Sequence, residues 1–104
     1  MDQYRYRLTL ERVAGKDGVV RGNAEDKVSF QAYNHDDLFN IVERQKAKGL
    51  WDDDTAAQLA IGFKMFAEVA LHYRNDPLFE PLMPHIKEFI GRLKSLPAKN
   101  ETSE

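Results

Sequence analysis

Apolar and polar residues alternate from Tyr4 to Glu11. Tyr4, Tyr6, Leu8 and Leu10 fall on one side of an extended chain, and Arg5, Arg7, Thr9 and Glu11 on the other. A period of two predicts a half-buried strand. Ala14-Gly15-Lys16-Asp17-Gly18 has the composition of a turn, and Gly22-Asn23 marks a second one. Val28, Phe30 and Ala32 then alternate with Ser29, Gln31 and Tyr33, which predicts a second strand. The two strands are expected to pair antiparallel across a long connection. A lone two-stranded sheet is marginal in water, so helices are expected to cover its apolar face.

The period changes within Phe30-Gln31-Ala32-Tyr33-Asn34-His35-Asp36-Asp37-Leu38-Phe39. Everything after this seam reads as helix. Asn34 is the expected N-cap of the first helix, with Tyr33 and Leu38 at the two positions of a hydrophobic staple. Asp36 and Asp37 would then occupy the first turn, where the helix dipole favours carboxylates. Leu38, Ile41, Val42 and Gln45 line one face, and Gly49 suits the residue just past the C-cap.

Asp52-Asp53-Asp54-Thr55 opens a second helix, with Asp52 or Asp53 as cap, running to about Arg74. Successive residues are 100° apart, which puts Leu59, Phe63, Phe66, Ala67, Ala70 and Tyr73 on one broad face. Ile61, Met65 and Val69 form a flanking strip. Few directions are wholly polar, so this helix is expected to be central. Gly62 inside it suggests a close backbone approach, since glycine costs ~1 kcal/mol there relative to alanine. Asn75-Asp76-Pro77 stops the helix, with Asp76 capping a short turn. A third helix follows from Leu82 or Ile86, with Phe89, Leu93 and Leu96 continuing its stripe.

The predicted order is β-β-α-α-α: an α+β fold, a two-stranded antiparallel sheet covered on one face by three helices. A single domain over 1–96 is expected, with a disordered polar tail at 97–104.

Composition narrows the chemistry. The chain has 104 residues, no cysteine, 15 Lys+Arg and 17 Asp+Glu, for a net charge of −2. The absence of cysteine removes disulfides and thiol chemistry, and fits a reducing cytoplasm. Residues 1–7 lack the apolar run of a signal peptide, and no stretch approaches a membrane span. A cytoplasmic location with no membrane partner is therefore expected. The slightly acidic balance weighs against sequence-independent nucleic-acid binding, while leaving room for a local basic patch.

Several elements together resemble one family. They are Tyr4-Arg5-Tyr6-Arg7-Leu8-Thr9, Phe30 followed by Asn34-His35-Asp36-Asp37-Leu38-Phe39, Gly62-Phe63-Lys64-Met65, Pro77-Leu78-Phe79, and Phe89 with Leu93-Lys94. In order and spacing they are similar to the small bacterial family known as domain of unknown function 3861. The resemblance implies a small bacterial cytoplasmic α+β protein, and it brings no activity, cofactor or catalytic residue with it.

Candidate sites follow from residue types. Asn34, His35, Asp36 and Asp37 offer an imidazole and carboxylates at the seam, the usual groups for acid–base or metal chemistry. Capping is the competing role. Asp52-Asp53-Asp54 lacks the spaced ligands of a calcium loop and reads as a cap. Glu68 with His72, and His85 with Glu88, read as helix-surface pairs because the two-histidine zinc-peptidase spacing is absent. No metal or other cofactor is expected. Arg5 and Arg7, with Tyr33 and Gln31 beside them, could stack and hold RNA on an open sheet face. With no nucleophile elbow and no phosphate-binding glycine loop, the leading expectation is a non-enzymatic interaction module. Ile61, Met65 and Val69 are its candidate interface, within a possible homodimer. The alternatives are a small enzyme or ligand-binding protein using His35 and Asp37, and RNA binding at Arg5 and Arg7.

Overall fold

The computed structural model describes residues 2–20 and 26–96. The turn expected at Gly22-Asn23 and the tail expected at 97–104 lie outside the described residues. Two strands, β1 (Tyr4–Glu11) and β2 (Lys27–Asn34), are followed by α1 (Leu38–Ala47), α2 (Asp53–His72), a 3-10 turn over Glu80–Leu82, and α3 (Met83–Ser95). The fold is α+β, in the expected order. The chain divides into two compact units, a hairpin unit over 1–36 and a helical unit over 37–104.

In the hairpin unit, β1 and β2 pair antiparallel from Tyr4↔Asn34 to Glu11↔Lys27. Residues opposite one another share a face. One face therefore collects the pairs Tyr6–Ala32, Leu8–Phe30 and Leu10–Val28. The other collects Arg5–Tyr33, Arg7–Gln31, Thr9–Ser29 and Glu11–Lys27. The two hydroxyls of Thr9 and Ser29 meet at 3.2 Å, and Lys27 Nζ lies 3.7 Å from Glu11 Oε2. Beyond the ladder, Arg12 N–H donates to the Asp26 carbonyl, and its guanidinium lies 2.9 Å from the Asp26 carboxylate. The turn at Gly15–Gly18 closes through Gly18 N–H to Gly15 O. Gly18 has φ +78°, a conformation that penalises any side chain.

Burial on the apolar face is uneven. Tyr6, Leu8 and Ala32 are half-buried, and Asn34 is 1% exposed. At the far end Leu10 is 68%, Val28 51% and Phe30 48% exposed.

In the helical unit, α2 packs against both α1 and α3. Its buried residues are Ala56, Ala60, Ala67 and Ala70. With half-buried Phe63 between them they are spaced 4-3-4-3, the seam spacing of packed helices. Ala67 and Ala70 are buried as expected, but the centre of the observed core lies about 50° round the helix from the centre of the expected face, at 100° per residue. Phe66 and Tyr73, expected inside, are about half exposed. Small residues win the seam because they let helix backbones approach closely, and larger side chains flank it. Phe63 reaches across to α3, its ring centroid 5.1 Å from that of Phe89, and Phe66 lies 6.3 Å from Phe79.

The helix ends are closed by specific groups. On α1, Leu38 is buried and Ile41, Val42 and Gln45 are half-buried, as its apolar stripe predicts. Gly49 follows the C-cap Lys48 with φ +68° and donates to Lys46 O. Lys48 Nζ donates at 2.8 Å to the Leu93 carbonyl, which also accepts the Leu96 N–H, so the end of α1 places a cation at the negative end of α3. Asp76 Oδ1 accepts from Leu78 N–H, forming the expected capped turn after α2.

Two local expectations are overturned. The first concerns Asn34, which is the last residue of β2 rather than the cap of α1. Its Oδ1 accepts Asp36 N–H at 2.9 Å, so a side-chain turn intervenes before helix can start. Asp37 caps α1 instead, and no acid occupies the first turn. Leu38 becomes the first helical residue, so Tyr33 and Leu38 do not hold the two staple positions expected for them. The second concerns Gly62, where a Cβ would meet nothing within 4 Å. No close backbone approach explains that glycine.

Candidate functional site

The seam residues are placed by local hydrogen bonding. The buried Asn34 side chain holds the Asp36 amide. The Tyr6 hydroxyl donates to the Asp36 carbonyl at 2.8 Å, tying the turn back to β1. Asp37 Oδ1 accepts from Phe39 N–H at 3.1 Å and Asn40 N–H at 3.4 Å, satisfying two orphan donors of α1. His35 projects outward, its side chain 67% exposed, with Nε2 3.9 Å from Asp36 Oδ1. Thus Asn34 and Asp37 serve the backbone, while the His35 and Asp36 side chains lie 3.9 Å apart. Among the described residues, no group of three or more His, Asp or Glu side chains could hold a metal ion.

The helix-surface pairs resolve similarly. Glu88 lies 3.4 Å from Arg92, one turn further on, rather than serving His85. The His72 ring meets Tyr73 edge-on at 4.7 Å. At the start of α2, Asp52 Oδ1 accepts Thr55 N–H at 2.7 Å. Hydrogen bonding from the Thr55 backbone and side chain holds the Asp52 carboxyl below its ordinary range. Asp53 and Asp54 occupy the first turn beside it. This triplet is a helix start.

Two surfaces have the makings of binding sites. The expected strip Ile61, Met65 and Val69 has only its last member exposed, Val69 at 49%, while Ile61 and Met65 are half-buried. The far end of the hairpin exposes Leu10, Val28 and Phe30 together on one face. An open depression there is lined by Leu10, Glu11, Arg12, Asp26, Lys27 and Val28. Sequence reasoning missed this patch because alternation tells which face is apolar, but not how far along it burial extends.

On the opposite face, the register sets Arg5 across from Tyr33 and Arg7 across from Gln31, as expected from the sequence. No helix among the described residues is long and apolar enough to cross a membrane.

Comparison with known proteins agrees with this architecture. A crystal structure at 2.20 Å of a protein of unknown function from Pectobacterium atrosepticum superposes with a TM-score of 0.76 at 27% identity, covering 89% of this chain and 98% of that one. Among curated proteins, none matches the chain. The family model for the domain of unknown function DUF3861 matches residues 4–95, and the chain belongs to that family.

Proposed function

We propose that this protein is a non-enzymatic interaction module that works as a homodimer through the far apolar face of its hairpin. The observation that carries this reading is the exposure of Leu10, Val28 and Phe30, three large apolar side chains on one sheet face. Apolar patches rimmed by polar residues are the usual mark of a protein contact. Here the rim is already paired within the chain, Glu11 with Lys27 and Arg12 with Asp26. A rim with its charges met asks for a partner face that is itself apolar and uncharged at the centre. The same face of a second copy meets that requirement, and a two-fold pairing buries each residue twice. Two sheet faces would then pack with their side chains interdigitated. The seam supports an enzyme less well, because Asn34 and Asp37 are occupied in turning and capping the chain.

Light scattering across a concentration series tests the reading. A dimer is expected at roughly tens of micromolar, as suits a modest interface. Leu10→Glu should give a monomer with unchanged far-ultraviolet circular dichroism, since a charge buried in an interface is costly while the exposed site tolerates it. Wild-type protein that stays monomeric at high concentration would reject the dimer. Loss of the dimer in Val69→Asp but not in Leu10→Glu would move the interface to the α2 strip.

A further inference from the structure

We propose that the polar face of the hairpin binds single-stranded RNA at Arg5, Arg7, Tyr33 and Gln31. This inference rests on the opposite face from the dimer contact and does not depend on it. The register sets Arg5 beside Tyr33 and Arg7 beside Gln31. All four side chains are exposed. The rest of this face is self-paired, Thr9 with Ser29 and Glu11 with Lys27. Glu11 is its only carboxylate, and Lys27 lies beside it. Arg12 lies against Asp26 and Arg92 against Glu88, whereas Arg5 and Arg7 have no carboxylate within 4.0 Å among the described residues. The face therefore carries two guanidinium charges that its own residues leave unmet, although the chain as a whole is slightly acidic.

The spacing suits a strand-like anion. Residues two apart on a strand are about 6.8 Å apart on the same side. Two guanidiniums at that separation can engage successive phosphates of an extended single strand. Tyr33, 47% exposed, offers a ring face to a base beside the first guanidinium. Gln31, beside the second, can donate and accept at a base edge or a ribose hydroxyl. An acidic peptide would satisfy the arginines, yet its carboxylates offer no aromatic ring to stack on Tyr33. A duplex keeps its bases stacked inside, out of the ring's reach. The combination of paired cations with an adjacent aromatic and an amide selects the single strand.

The test is fluorescence anisotropy with a labelled oligouridylate of about ten nucleotides, a length within single-strand site sizes. At low salt the dissociation constant should be on the order of 10⁻⁴ M, with a slope of log K against log salt near −1.4 for about two phosphates. Arg5→Gln with Arg7→Gln should weaken binding at least ~10-fold and bring the slope close to zero. Tyr33→Ala should weaken it ~10-fold and Tyr33→Phe should not, because stacking needs the ring and not the hydroxyl. Circular dichroism on each variant checks that the hairpin is intact. Absence of binding at low salt would overturn the proposal, as would binding that ignores these substitutions. An oligoglutamate of equal charge binding as tightly as the RNA would also overturn it, making the face a site for acidic protein.

Discussion

The hairpin unit and the helical unit hold themselves together differently. In the hairpin, an eight-residue ladder of backbone pairs runs from Tyr4↔Asn34 to Glu11↔Lys27, while Leu10, Val28 and Phe30 keep about half or more of their surface in water. In the helical unit, α2 puts Ala56 and Ala70 fully inside, with Ala60 and Ala67 nearly so. The hairpin depends on hydrogen-bonded register and the helices on close packing of small side chains. A substitution that changes volume should therefore be felt in the second unit and tolerated at the far end of the first.

That contrast sets the largest expected effect. Ala70→Leu inserts three heavy atoms into a position with no exposed surface and should cost about 2–3 kcal/mol by overpacking. Leu10→Ala, at 68% exposure, should change the stability of dilute protein by no more than ~0.5 kcal/mol. Urea denaturation at low micromolar protein measures both. Equal midpoints with unchanged slopes would erase the distinction between the units.

The two units also differ in how much the sequence discloses. Strand limits, pairing direction and the faces of β1 and β2 follow from alternation alone, because a period of two leaves one choice of face. Helix limits follow from Asp52, Gly49 and Asp76, whose side chains or backbone freedom have few other uses. Three features resisted. The true cap of α1 lay three residues beyond Asn34, because its amide oxygen was spent on Asp36 N–H, a local competition that residue type does not settle. The α2 seam keeps Phe63, Ala67 and Ala70 of the expected face but takes Ala56 and Ala60 in place of Phe66 and Tyr73, since ranking residues by hydrophobic size overlooks the close approach that a small side chain allows. The far apolar patch of the hairpin escaped for a third reason: how much of a face is covered depends on the placement of other elements, and alternation is blind to that.

Glycines sharpen the comparison at an intermediate scale. Gly18 turns the hairpin connection with φ +78°, so Gly18→Ala should cost about 1 kcal/mol from the left-handed backbone alone. Gly62 lies inside α2, where a Cβ would meet nothing within 4 Å. Gly62→Ala should therefore stabilise the chain by about 1 kcal/mol through helix propensity and a less flexible unfolded state. Thermal melts of the two variants should move in opposite directions. A destabilised Gly62→Ala would show that this position requires glycine for a reason outside the chain's own packing, such as a partner's backbone lying against it.

The smallest expected effect separates the units by acid. Hydrogen bonds from Thr55 hold the Asp52 carboxyl below its ordinary range. A depressed folded-state pKa means that the capping contribution is present above the unfolded value and fades as pH falls through the folded one. The site is fully exposed, so water screens the effect and a small change is expected. Fraying should begin at the N-terminus of α2, while the strand ladder, held by backbone groups that do not titrate, keeps its register. The measurement is a carboxyl carbon titration by nuclear magnetic resonance, with amide exchange read at Thr55 and along β1. The Asp52 midpoint should fall below that of an ordinary aspartate, and protection of the Thr55 amide should drop with it. Asp52→Asn, which keeps an accepting oxygen but loses the charge, should retain the cap and lose its pH dependence. A midpoint at or above the ordinary value would mean that the 2.7 Å bond to Thr55 N–H does not favour the charged carboxylate.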